Sequence, residues 1–234
     1  MTFFFFAALF CGVHSLTYLT GEMLSVVNGF RPSMLPRYGT GGLLEQFPEL
    51  GLPQIEAAAE RIAGRIQRTP TVRDGFLSER LGANVHIKLE LLQHTGAFKV
   101  RGAFNKLLNL DPERLERGVV AVSAGNHAQA VAFACGELGC DALILMPEDT
   151  PGNYVAKTKG LGAAVEFYPS MNDAFAAARE YEAAGRIYVH PFDDPNVIAG
   201  QGTIGLEILE DVPDVTDVVV SIGGGGLAAG VAAA

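Results

Sequence analysis

Val119-Val-Ala-Val-Ser-Ala-Gly-Asn-His-Ala-Gln-Ala-Val-Ala-Phe-Ala-Cys-Gly-Glu-Leu138 passes from an apolar run through a polar turn into a helical stripe. Val119 to Val122 reads as a buried strand and Ser123 to His127 as the turn after it. Ala128, Val131, Ala132, Cys135 and Leu138 read as the apolar face of the next helix. This is half of a βαβ unit. The pattern recurs with strand Ala142 to Met146, a helix near Tyr154 to Leu161, strand Ala164 to Tyr168, helix Asp173 to Ala184 stopped by Gly185, and strand Ile187 to Val189. Repeated alternation predicts an α/β fold of open parallel sheets with helices on both faces.

Upstream, Pro53 suits a first helical position, and Ile55, Ala59, Ile62 and Ile66 keep helical spacing up to the break at Thr69-Pro70. Val85, Ile87 and Leu89 alternate with His86, Lys88 and Glu90, which predicts a strand with the apolar side buried and the polar side in water. Downstream, Ile204 to Leu209 precedes the strand Val218 to Ile222, the run Gly223 to Gly226, and Leu227 to Ala234, an apolar segment that reads as an element cut short. Residues 1–52 differ from the rest. Phe3 to Cys11 is apolar but far shorter than a membrane span, and the first basic residue is Arg31. Pro32, Pro36, Gly39, Gly41, Gly42 and Pro48 mark an irregular linker. This stretch is expected to be an extension outside the fold, a disordered arm.

The 234 residues, 49% hydrophobic, suffice for a sizeable core. A net charge of -9 without a basic cluster argues against nucleic-acid or anionic-membrane binding. Cys11, Cys135 and Cys140 form no metal-ligand pattern, and their odd count points to reduced thiols in a cytoplasmic chain.

Three loops carry chemistry. In Thr95-Gly-Ala-Phe-Lys-Val-Arg-Gly102, Thr95 is expected to cap a helix whose inner face holds Lys99, Ala103 and Leu107, with Val100, Phe104 and Leu108 beside them. Burial and the positive helix end would lower the Lys99 pKa toward the free amine that attacks an aldehyde. The other reading is a stem lying over apolar neighbours with its head in water. Ser123, Ala124, Gly125, Asn126 and His127 follow a strand and open a helix, so their amides and polar side chains can converge on an anion. Asn126 alone also fits a plain N-cap, and His127 a helix-face histidine. Gly223, Gly224, Gly225, Gly226 and Leu227 fit a phosphate cradle, a tight strand-to-helix turn, or the dinucleotide fingerprint Gly223-x-Gly225-x-x-Ala228. Arg101, Asn105, Lys106 and Arg179 read as solvated helix residues.

Together, Thr95-Gly-Ala-Phe-Lys-Val-Arg-Gly-Ala103, Ser123-Ala-Gly-Asn-His-Ala-Gln129 and Gly223-Gly-Gly-Gly-Leu227 resemble the fold-type II pyridoxal phosphate enzymes, in particular the threonine/serine dehydratases (threonine ammonia-lyases) and their serine racemase relatives. His190-Pro-Phe-Asp-Asp-Pro-Asn-Val-Ile-Ala-Gly-Gln-Gly-Thr203 is similar to the dehydratase branch. The resemblance covers about Pro53 to Ala234. It implies a two-lobed fold, with a large cofactor-binding lobe in 53–118 plus 192–234 and a small lobe in 119–191. It further implies pyridoxal 5'-phosphate held by Lys99 as a Schiff base, with Phe98 against the ring, Asn126 on the phenolic oxygen, Gly223 to Leu227 on the phosphate, and Ser123 to His127 on the carboxylate of a small amino-acid substrate. The implied reaction converts L-threonine or L-serine to a 2-oxo acid and ammonia, in a longer homo-oligomeric parent with further strands. Ala124 stands where serine racemases have a proton-donating serine, which favours dehydration over racemisation. Other readings are a related β-eliminase acting on 3-hydroxyaspartate, a serine racemase, or a non-catalytic module that binds a phosphate-bearing ligand or pairs with another subunit.

Overall fold

The structure, a computed structural model, describes residues 2–6 and 47–234. The expected linker, apart from Phe47 and Pro48, lies outside the described residues, as does Cys11. In chain order the elements are β1 (Thr2–Phe6), α1 (Leu52–Ile62), β2 (Thr71–Arg73), α2 (Gly75–Leu81), β3 (Asn84–Lys88), α3 (Lys99–Leu108) and the short α4 (Pro112–Leu115). There follow β4 (Val119–Val122), α5 (Asn126–Leu138), β5 (Ala142–Pro147), α6 (Gly152–Gly160), β6 (Ala164–Tyr168), α7 (Met171–Ala183) and β7 (Ile187–Tyr188). The last three are α8 (Pro195–Asp211), β8 (Asp217–Val219) and α9 (Gly226–Ala233).

The alternating segments build a parallel sheet in the order β6-β5-β4-β7. Every residue of β4 and β5 is buried, because helices cover a parallel sheet on both faces. The other sheet has the order β2-β3-β1-β8, with β2 antiparallel to β3 and the remaining pairs parallel. Its third strand departs from the expected extension. Thr2–Phe6 inserts between β3 and β8, pairing Phe3 with both Val85 and Asp217. A short run of apolar residues without charge suits an interior strand as well as it suits an apolar extension.

Helix α8 lies at the centre of what positions the site. A Cβ on Gly200 would come within 2.7 Å of the Arg101 carbonyl oxygen and the Gly102 Cα, so α3 crosses α8 backbone to backbone. On the same helix Gly202 meets Gly230 of α9, where an added Cβ would reach the Gly202 nitrogen at 2.7 Å. The two helices that start at Lys99 and at the four-glycine loop are thereby docked on one support. Val100, Ala103, Phe104 and Leu107 of α3 continue into the core formed with α5, β4 and β5.

Two local expectations change. Helix α3 starts at Lys99, with Phe98 at its cap; Thr95 lies in a separate turn at φ 63 and caps nothing, its hydroxyl buried without a partner. Ala97 is extended, which breaks the chain between the two turns. On β3 burial does not follow polarity: Val85 is buried as expected, but so is a charged residue on the other side. Lys88 and Glu90 are buried while Ile87 and Leu89 are only partly so, and Arg101 and Asn105, expected in solvent, are buried too. Arg101 explains the buried charges. It makes paired hydrogen bonds to Glu90 at 2.9 and 2.7 Å and to Glu207 of α8 at 2.6 and 3.0 Å, and Lys88 bonds Glu207 at 2.6 Å and the Thr69 carbonyl at 2.8 Å. Buried charges persist when each has such partners. Lys106 pairs with Asp194 at 2.6 Å, while Arg179 is exposed as expected.

Candidate active site

The C-terminal ends of β4 and β8 and the start of α3 open onto one cavity of about 370 Å³, a size common for small-molecule sites. Lys99 and Phe98 line it together with Ser123, Gly125, Asn126 and His127 from the β4–α5 turn, and Gly223, Gly224, Gly225, Gly226 and Leu227 from the β8–α9 turn. Ala124 is half-buried and stands outside the lining.

Lys99 is the first residue of α3, with Ala103 and Leu107 fully buried below it. Burial lowers its pKa from 10.5 to about 8, which enriches the free amine. Its Nζ donates to the Pro191 carbonyl at 2.6 Å and lies 5.4 Å from the centre of the Phe98 ring. The head is therefore inside the cavity, which excludes the snorkelling alternative.

In the β4–α5 turn the Ser123 hydroxyl accepts the Gly125 N–H at 3.0 Å, and Gly125, with no capping side chain, occupies the helix cap. Asn126 is thus the first helical residue rather than the cap, and it lines the cavity. His127 donates from Nε2 to the Val189 carbonyl at 2.9 Å, tying α5 to the strand end beyond β7, while its Nδ1 is buried and unpartnered. Burial first, then the nearby Lys99 charge, push its pKa to about 3, so the ring is neutral and Nδ1 is an acceptor. An acceptor cannot serve a carboxylate. Any carboxylate at this turn would rest on its N–H groups and hydroxyl.

Gly225 caps α9 at φ 85, and the first N–H groups of a helix have no partner inside it. A Cβ on Gly224 would run into the Phe192 ring, and one on Gly226 would lie 2.7 Å from the Phe192 carbonyl oxygen, so the bare backbone is needed for the loop to sit where it does. Amides free of side chains at a helix start suit an anionic phosphate. An aldehyde-reactive amine, an anion cradle and a polar turn on one cavity fit the residues to pyridoxal phosphate. A dinucleotide would use the cradle and leave the lysine without a purpose.

The sequence reading missed several walls of this cavity: Glu90 and Leu91 before α3, Tyr154 of α6, Pro191, Phe192, Ser221 and Ile222. Pro191 and Phe192 fall in the stretch whose resemblance was noted, which was the available signal. Tyr154 had none, because only the fold brings α6 across from β5. Among the described residues, no group of three or more His, Cys, Asp and Glu could hold a metal ion, and no helix is long and apolar enough to cross a membrane.

The family model described as pyridoxal-phosphate dependent enzyme matches residues 62–234. The catabolic L-threonine dehydratase of Escherichia coli (strain K12) is 49% identical over 187 residues, 79% of this chain and 57% of its own length. An L-threonine ammonia-lyase of Thermotoga maritima is 49% identical over 185 residues, 78% of this chain and 46% of its own. Among solved structures, maize serine racemase superposes with a TM-score of 0.75 at 36% identity, covering 78% of this chain and 56% of that one. The chain thus spans about half the length of the relatives it matches.

Proposed function

Because the chain belongs to the pyridoxal-phosphate dependent enzymes, we propose that it carries the site of a dehydratase that converts L-threonine or L-serine to a 2-oxo acid and ammonia, a carbon-nitrogen lyase. The observation that carries this reading is the Lys99 amine, buried at the helix start and sharing its cavity with the glycine cradle and the Asn126 turn. Bound there, pyridoxal 5'-phosphate supplies an electron sink that makes the Cα proton of an amino acid removable. Lys99 is the anchor for the aldehyde and the base that moves the proton at Cα. Gly223 to Leu227 offer N–H groups to the phosphate, Asn126 its amide to the phenolic oxygen, and Phe98 its ring as a wall. Ser123 to His127 orient the substrate, with the amides of the turn toward its carboxylate.

The cavity also bears on the substrate. Lys99 is the one cation among the described lining residues, which disfavours 3-hydroxyaspartate with its second carboxylate and favours a neutral hydroxy amino acid. Racemisation asks for a proton donor opposite the lysine, and Ala124 has no proton to give. We further propose that the segments 53–118 plus 192–234 and 119–191 act as two lobes around the cofactor, in a homo-oligomer. The free thiols of Cys135 and Cys140 support a reducing, cytoplasmic setting.

The test is absorbance of the purified chain with pyridoxal phosphate, borohydride fixation, mass mapping, and an assay for 2-oxo acid from threonine and serine. The expected result is a pyridoxyl group on Lys99, absent in Lys99→Ala, and 2-oxobutanoate from L-threonine. A pyridoxyl group that maps elsewhere, or D-serine formed without 2-oxo acid, would overturn the assignment.

A further inference from the structure

His190 does not line the cavity, but the residues that follow it reach the cavity's two reactive parts. Its Nδ1 accepts two backbone N–H groups, from Phe192 at 3.3 Å and from Asp193 at 2.7 Å. A ring nitrogen that accepts carries no proton, so the imidazole is neutral with its hydrogen on Nε2. The two bonds wind residues 190–193 into a turn. From that turn the Pro191 carbonyl receives the Lys99 amine, and Phe192 presses against Gly224 and Gly226. The following residue, Asp194, caps α8 through the N–H groups of Asn196 and Val197 and pairs with Lys106 of α3. Aromatic rings hold the imidazole in place: Tyr188 and Phe192 edge-on at 5.6 and 4.6 Å, and Phe175 stacked at 6.4 Å.

We propose that neutral His190 is a positioning residue for this site: by accepting two N–H groups it shapes the turn that aims the Pro191 carbonyl at Lys99 and seats Phe192 against the four-glycine loop. The amine and the anion cradle are set relative to each other by one side chain that touches neither ligand. Only the identity of the ligand rests on the cofactor reading above. A protonated ring has no lone pair at Nδ1, so the turn is lost on protonation. The groups facing His190 are Asp193 and Asp194 of the same segment, which favour the imidazolium, and Lys99 of α3, which opposes it. Tyr188 of β7 and His127 of α5 are uncharged at neutral pH. Burial, the largest influence, keeps the pKa below the ordinary histidine value, and the turn holds at neutral pH.

The experiment compares the wild-type chain with His190→Asn, whose amide oxygen can accept near the Nδ1 position but cannot be protonated, and with His190→Ala. Two readouts are taken between pH 5 and 9: competitive acetylation of Lys99 by acetic anhydride without cofactor, and borohydride-fixed pyridoxyl at Lys99 with pyridoxal phosphate. His190→Ala is expected to change Lys99 acetylation by threefold or more and to cut fixation at least tenfold at pH 7.5, with His190→Asn within about threefold of wild type. The ratio of His190→Asn to wild type cancels the lysine's own titration, and is expected to rise at least threefold as the wild-type imidazole takes up its proton, an event followed in parallel by the NMR shift of the ring protons. If His190→Ala does not fold, this ratio decides alone. A ratio that stays flat while the wild-type imidazole protonates, or a folded His190→Ala that matches wild type in both readouts, overturns the proposal. Fixation absent from every variant, with the acetylation differences intact, refutes the cofactor reading and leaves the positioning role standing.

Discussion

Lys99 illustrates how a reactive group is held against its own solvation. Its pKa is about 8 in the folded chain against 10.5 for an exposed lysine, with burial as the cause. Between those values the folded chain binds fewer protons than the unfolded one. The lysine's contribution to stability therefore grows as pH rises through that window, and below about pH 8 its burial is a net cost. Lys99→Met is predicted to raise the stability of the cofactor-free chain at pH 7 by about 1–3 kcal/mol, read as a higher melting temperature, while abolishing fixation. The glycine cradle offers a matched pair of substitutions. A Cβ at Gly223 meets nothing within 4 Å, whereas at Gly224 it strikes the Phe192 ring. Gly223→Ala is predicted to melt within about 1 °C of wild type, and Gly224→Ala several degrees lower with pyridoxal phosphate affinity reduced about tenfold or more, both measurable by thermal melts with and without cofactor. Lys99, Asn126 and the glycines were legible from sequence because residue type and spacing reveal their chemistry. Tyr154 was not, since a tyrosine near a helix start has no signature of its own.

At the scale of elements, α3 and α9 reach the site from opposite sides and dock on α8. Gly200→Ala would drive a methyl into the α3 backbone, where no side chain can move aside. It is predicted to cost about 2–4 kcal/mol in urea unfolding. The ion network below the cavity makes the same connection through charge. Arg101 is fully buried between Glu90, before α3, and Glu207 of α8, and Lys88 of β3 shares Glu207. Arg101→Met would leave Glu90 buried without its partner, with a predicted cost of about 3–5 kcal/mol, and Glu90→Gln added to it should recover part of that loss. No recovery in the double variant would mean that the arginine acts through packing rather than charge. Strand and helix periods were read correctly for β4 to α7 because full burial of β4 and β5 leaves continuous apolar runs and turn residues mark off the segments that follow. They misled at the end of β3, where Val85 is buried as read but polarity put the equally buried Lys88 in water. A buried cation next to a buried anion has the same one-dimensional pattern as a solvated pair.

Across the whole molecule, acid is the predicted weakness. His127 must be neutral in the folded chain at any pH above about 3, while the unfolded histidine titrates near its ordinary 6.5, so unfolding takes up close to one proton at pH 4 to 6. Stability is expected to fall by about 1.4 kcal/mol per pH unit across that window from this residue alone, and His127→Asn should flatten the slope of denaturation midpoints against pH. Asp211 adds to the trend at lower pH. Burial would raise its carboxyl, but hydrogen bonds from Thr71 and Arg68 and the charge of Lys88 outweigh it and hold the pKa below the ordinary value, stability that is lost once the group is protonated. Sheet order carries a further consequence. Because β1 lies between β3 and β8, deletion of residues 1–6 would take from β8, and from the cradle that follows it, the strand that pairs with it among the described residues. Faster hydrogen exchange at Asp217–Val219 is the expected result. The sequence by itself determined the α/β class, most element positions in 119–191, and the three loops that meet at the cavity, since these depend on local period, turn chemistry and residue type. Only the tertiary structure decided that Thr2–Phe6 is an interior strand, that Lys88, Glu90 and Arg101 are buried, and that the 190–193 turn reaches both Lys99 and the cradle. Each of these depends on which separate segments meet, and contacts between different segments leave no periodic trace in the chain.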